Sequence, residues 1–374
     1  MPVNDYTNPR IDHASQKGDP LAGRVRVDLG KCLWLSTMFT LGTAGAALTA
    51  TVGSVVLFVV FTLFTLCFGH SLGMHRLLIH RSFTTPRWFE YLLVHLGTIV
   101  GLAGPITMLR THDVRDWAQR QTACHSFFTQ QSSWLTDAGR QLFCRFEFEH
   151  PPQLIIEERV IDDPIYRWME KYWHLQQLPW VAIFYVIGGY EWVIWGICSR
   201  ITAGVLGHWI IGYFAHNHGG RRWEVLGAAV QGHNVSWTSL LTMGECWHNN
   251  HHAFPDSARL GLEKGQWDPG WWMLRLLERI GLASDITTAA DLPTRQRLRD
   301  RRNRVHPSVH HEQTITSRLS RAGCQPARWE NPPACRGVPG GAVSRTPQQL
   351  SAAVPGSEIE HSVAIAGSAI PHTG

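Results

Sequence analysis

The chain has 374 residues, of which 44% are hydrophobic and 17% charged, a charged share well below the roughly 25% of an average soluble protein. Its formal charge of +5 lies in the last stretch: Ala289 to Gly374 carries 11 arginines and 6 acidic residues, leaving 23 basic against 23 acidic side chains before it. A neutral body with no basic stripe argues against nucleic acid as a partner, and eight cysteines without a CxxC pair argue against a disulfide scaffold or a zinc ribbon.

Residues 1–30 are polar and lack a signal-peptide pattern, so they read as a cytoplasmic lead-in. From Leu33 to Phe68 the chain is almost uncharged. A bilayer core takes about 20 residues of helix, and these thirty-six fit two crossings joined near Thr49 to Gly53. A second apolar region, Leu178 to Phe214, is interrupted by Gly188 and Gly189 and fits two more. The stretch from Trp88 to Leu109 is also long enough to span. Histidines on both sides of it, His75 and His80 before and His125 after, must share a face if they serve one centre, so 88–109 is expected to lie in the interface or to re-enter without spanning. Arginines crowd the segments 76–88 and 110–172, which places that face in the cytoplasm by the positive-inside rule. From about residue 287 the chain turns to Arg, Pro, Ser and Gly without apolar periodicity, the composition of a disordered tail. The predicted fold is therefore all-α and integral to the membrane: four transmembrane helices, with a cytoplasmic helical cap carrying the histidines, over residues 31–286.

Histidine spacing carries the chemistry. In GECWHNNHHAFP, residues 244–255, positions i, i+3 and i+4 bring His248, His251 and His252 together on a helix, able to meet one metal or a pair. Three imidazoles without a cysteine suit iron, copper, zinc or nickel better than calcium or magnesium. The glutamate, Glu245, precedes the first histidine instead of lying between two of them as in HExxH, so the pattern is not that of a zinc protease. In GMHRLLIHRSF, His75 and His80 are five residues apart, about 140° on an ideal helix, so the chain must loosen there for both to reach one site. His216, in GYFAHNHGG, ends the fourth predicted crossing, with His208 and His218 as nearby competitors; ionisable residues at a membrane edge are functional candidates.

HRLLIHRSF and WHNNHHAFP, with the AHNHG segment between them, resemble the first and third histidine boxes of the membrane fatty acyl desaturases, particularly the acyl-CoA delta-9 group. The resemblance covers roughly residues 30–286 and includes PGWWMLRLLERIGLASDI after the last box. It implies four crossings, a cytoplasmic centre of two iron ions using O2 as co-substrate, and a tunnel for a long acyl chain. Carried over residue by residue, the ligands are His75, His80, His125, His216, His248, His251 and His252, with Asn234 helping to hold a metal-bound water. The family's second box has the form HxxHH, and the stretch matched to it, QTACH, keeps His125 with Gln121 and Cys124 at the other two places. Cys124 as thiolate and Gln121 through its carbonyl are substitute donors. His112, thirteen residues from His125 and about 20 Å along a continuous helix, serves only if the chain bends between them.

The expected reaction is oxygen-dependent desaturation of a long-chain acyl group carried as acyl-CoA or acyl-lipid, a step that needs a metal oxidant because no side chain removes hydrogen from an unactivated methylene. Hydroxylation at the same kind of centre, a metal transporter and a catalytically impaired relative are the competing readings. No cytochrome or ferredoxin pattern is present, so electrons are expected from a separate donor of ferredoxin or cytochrome b5 type.

Overall fold

Two apolar regions fold as long helices whose outer faces carry no polar stripe. In the computed structural model, which describes residues 8–12 and 18–303, the run 33–68 breaks near Thr49. Strand β1 (Gly23–Val27) leads into α1 (Leu29–Thr40), capped by Asp28, whose carboxylate accepts from Lys31 N at 3.1 Å. The helix continues through a π turn, Leu41–Gly45, to Leu48. Thr51 then starts α2 (Val52–Phe64) with a capping box: Thr51 Oγ1 accepts from Ser54 N, and Ser54 Oγ accepts from Thr51 N. Without interruption α2 passes into a π-helical segment, Thr65–Ile79, giving 28 continuous helical residues. At about 1.5 Å per residue that exceeds the roughly 30 Å of a bilayer core. Val52, Val55, Val56, Val59, Val60 and Phe64 all face outward, a surface suited to lipid.

Residues 88–109 do not form one helix. α3 (Arg87–Thr98) has 12 residues, about 18 Å and too short to span. The chain turns at Gly101 (φ 93°), and α4 (Pro105–Arg120) runs on from it. α3 packs on the π segment because Gly69 and Gly73 lie against the backbone of Leu96 and Leu93, where a Cβ would collide. Two glycines four apart are the small-residue pattern that lets membrane helices approach closely.

The second long helix, Leu175–Asn217, holds 43 residues and is broken at Gly188 and Gly189, the latter at φ 70°. α5 (Leu178–Val193) folds back there, so that Phe184 packs on Gly196, and α6 (Arg200–Asn217) carries on to His216. Among the described helices, these two are long and apolar enough to cross a membrane.

The all-α expectation needs one amendment. Two small antiparallel sheets sit in the polar parts of the chain: β1 with β2 (Cys144–Phe148), and β3 (Trp223–Val225) with β4 (Leu298–Asp300). The second pairing, and the hydrogen bond from Ala258 N to Thr287 O, keep residues 287–303 against the body. The rest of the expected tail, from 304, lies outside the described residues. Last come α7 (His248–Ala253) and α8 (Pro269–Arg279).

Candidate metal centre

Seven histidines from four chain segments gather in two groups. His75, His80, His112 and His251 form the first; His216, His248 and His252 form the second; within each group the candidate ligand atoms lie within 4.8 Å of one another. The π segment explains the first pair. Its hydrogen bonds close at i to i+5, as His80 N to His75 O does at 3.0 Å, so residues five apart stack and the two rings stand 4.7 Å centroid to centroid. α7 feeds both groups: His248 and His252, one turn apart, face the second, and His251 faces the first. In the second group His248 Nε2 lies 3.0 Å from His216 Nε2 and 3.0 Å from His252 Nε2.

The surroundings fix which nitrogens point inward. His75 Nδ1 lies 2.7 Å from Glu245 Oε2, which leaves Nε2 as the donor atom for the site. Ser71 donates to the other carboxylate oxygen of Glu245 at 2.6 Å. Burial alone would raise the Glu245 carboxyl, but His75 and Arg76 outweigh it and hold it down to about 2. Arg76 is buried and donates to Asp268 at 2.8 Å, and Asp268 in turn accepts from Leu260 N, Gly261 N and Trp271 N, tying the π segment to the loop after α7. On the other side, His216 Nδ1 faces Gln130 Oε1 at 2.7 Å, and Gln130 Nε2 donates to Asp137. An amide oxygen only accepts, so the His216 proton is assigned to Nδ1 and its Nε2 lone pair points at the other imidazoles.

Burial lowers His248 to about 3 and takes His80, His251 and His252 well below the usual imidazole value. Those four neutral imidazoles, crowded with the other members of their groups, cannot all satisfy one another by hydrogen bonding. A divalent cation resolves both groups at once, and nitrogen donors of this kind fit iron.

Asn249 and Asn250, between the histidines, set α7 in place. The Asn249 side chain accepts from Arg222 N and Trp223 N and donates to Trp223 O and Gly232 O, and Asn250 donates to Leu260 O and Gln266 Oε1. Neither they nor Asp268 stand out in the sequence, where Glu245 serves only to set the pattern apart from HExxH, since buried asparagines and carboxylates show their role only through partners distant in the chain.

Four expected residues, His125, Gln121, Cys124 and Asn234, lie outside both groups. α4 ends at Arg120 and Gln121 is extended (φ −69°, ψ 166°), so the helix stops before His125, which is in neither group. His125 Nδ1 instead accepts from Phe127 N at 3.1 Å and its ring packs on Phe146. Gln121 donates to Trp117 O. Cys124 borders an aromatic cluster, and burial pushes its thiol up to about 11, so it is not a thiolate. The histidine that α4 brings into the first group is His112. An HxxHH frame set on His112 would read His112-Asp113-Val114-Arg115-Asp116, with Arg and Asp at the last two places. Asn234 is in neither group: its Oδ1 accepts from Asn249 N at 2.9 Å, at the start of α7. His208 pairs with His70, and His218 lies against Tyr213 and Phe214.

The family model described as fatty acid desaturase matches residues 50–280. The chain is 33% identical over 221 residues to an sn-1 stearoyl-lipid 9-desaturase of Anabaena variabilis, covering 59% of this chain and 79% of that protein. It is 30% identical over 222 residues to an sn-2 palmitoyl-lipid 9-desaturase of Nostoc sp. (strain 36), covering 59% and 77%. Over 234 residues it is 29% identical to an acyl-CoA 5-desaturase of Anemone leveillei, covering 61% and 70%. A match over more than half of its length, containing every histidine of both groups, shows that this chain belongs to the fatty acid desaturase family.

Proposed function

We propose that the chain is an integral-membrane oxidoreductase that desaturates a long-chain acyl group at a pair of iron ions, one held by His75, His80, His112 and His251 and the other by His216, His248 and His252. The observation that carries this reading is the meeting of two groups of inward-facing imidazoles at the base of apolar helices. When bound, the irons supply the O2-derived oxidant that hydrogen removal from an unactivated methylene requires. The chain's own part is positioning. Glu245 and Gln130 orient His75 and His216, Asn249 and Asn250 hold α7, and the apolar helices offer an acyl chain a route that excludes water.

The chain crosses the bilayer four times, with the two breaks at Thr49–Thr51 and Gly188–Gly189 on one face and the histidines on the cytoplasmic face, where the arginines of 76–88 and 110–172 lie. The substrate is an acyl-lipid or an acyl-CoA, as the names of the relatives indicate. Electrons arrive from a separate donor of ferredoxin or cytochrome b5 type.

Expression in a host lacking its own desaturase, followed by mass spectrometry of total lipid, tests the reading. The expected product is two mass units lighter than its precursor and disappears in His251→Ala. A product gaining one oxygen assigns the chain to hydroxylation instead, and full activity in His251→Ala defeats the metal-centre reading.

A further inference from the structure

α4 passes both histidine groups but supplies a donor to the first alone. His112 completes four imidazoles there, whereas the second group has three. One turn beyond His112, on the same face of α4, stand Arg115 and Asp116. Arg115 turns away: its guanidinium donates to Gln141 Oε1 at 2.7 Å and lies over the Phe127 ring. Asp116 has the right chemistry for a hard cation, but Arg120 Nε holds both its oxygens, at 2.8 and 2.7 Å, in a buried pair. The same guanidinium donates to His252 O at 3.2 Å, which locks the pair against the site.

Gln119 adds a second obstacle. Its Nε2 donates to Phe128 O at 2.9 Å, which fixes the amide with nitrogen towards the site, and that nitrogen lies 3.2 Å from His216 Nε2. With the His216 proton on Nδ1, Gln119 donates to the lone pair that a metal would need. The second group thus offers fewer donors, one of them already occupied, beside the cations Arg115 and Arg120.

We infer that the two metal positions are unequal: the His75–His80–His112–His251 position holds its ion firmly, and the His216–His248–His252 position holds an exchangeable one because the Asp116–Arg120 pair and Gln119 stand where ligands would close it. This rests on the two-iron reading above.

The test is iron content per chain of the full protein in detergent, loaded with excess ferrous iron under anaerobic conditions and then dialysed against rising chelator. Wild type should fall from two equivalents to one at a chelator concentration at least tenfold below that removing the last. His248→Ala should hold one equivalent throughout. Asp116→His supplies the missing imidazole, and Arg120→Met releases the Asp116 carboxylate; either should bring the two losses within a few-fold of each other. Two irons leaving wild type at the same concentration, or a first loss of unchanged position in both Asp116→His and Arg120→Met, overturn this inference while leaving the two-iron reading intact. A chain that takes up no iron overturns both.

Discussion

His112 and His125 separate what the sequence pattern suggests from what the backbone permits. Both lie beside the same arginine-rich stretch, but α4 points His112 into the first group and releases the chain before His125. His112→Ala should therefore lose the first iron and at least tenfold in desaturation rate, in line with the effects of removing groups that orient or hold a metal. His125→Ala should keep the product and both irons, and lose only about 1 kcal/mol, the usual effect of deleting a side chain that caps a helix start. Lipid analysis and thermal unfolding of the two variants side by side decide the matter. Loss of product in His125→Ala with iron depleted would return His125 to the centre and overturn its placement outside both groups.

Among the elements, the α3–α4 hairpin decides whether the histidines share a face. Gly69 and Gly73 let α3 press against the π segment, and the turn at Gly101 sends α4 back, so His75, His80 and His112 meet without a crossing between them. Single cysteines in a background lacking the native ones make this measurable. Tyr190→Cys, in the exposed break after Gly189, should react with a membrane-impermeant maleimide in intact cells, and Lys264→Cys, in the loop after α7, only after permeabilisation. Labelling of both in intact cells would contradict the four-crossing arrangement. Most of this was legible in advance. Continuous apolar runs announce long helices, and the breaks at Thr49–Thr51 and Gly188–Gly189 fall where turn residues interrupt those runs. The wide turn between His75 and His80 was legible as a misfit of spacing. The part of His112 was not, because Arg115 and Asp116 follow it where an HxxHH pattern would have histidines, and the separation of His125 from the first group depends on where α4 ends.

Across the whole molecule, a nest of imidazoles makes stability depend on pH in a definable direction. In the folded chain burial keeps His80, His248, His251 and His252 neutral far below the ordinary imidazole value of 6.5, with His248 titrating at about 3. The unfolded chain takes up those protons as pH falls through 6.5 and so binds more protons than the folded chain, and stability drops with decreasing pH. Glu245 pushes the same way at lower pH, since it titrates at about 2 when folded against the usual 4.5; the stability it contributes is present above 4.5 and is lost as pH falls towards 2. The iron-free protein should therefore show a midpoint of thermal unfolding that declines steadily from pH 6.5 downward. Iron loading should raise the midpoint at every pH and leave the slope of that decline unchanged, because binding draws the equilibrium towards the folded chain while imidazoles already neutral when folded have no protons to give up. Scanning calorimetry in detergent at pH 7.5, 6.5, 5.5 and 4.5, with and without ferrous iron, reads both effects. A midpoint that stays constant or rises between 6.5 and 5.5 in the iron-free protein would mean that the imidazoles are already protonated when folded, and the neutral, inward-facing arrangement that makes them metal ligands would not hold.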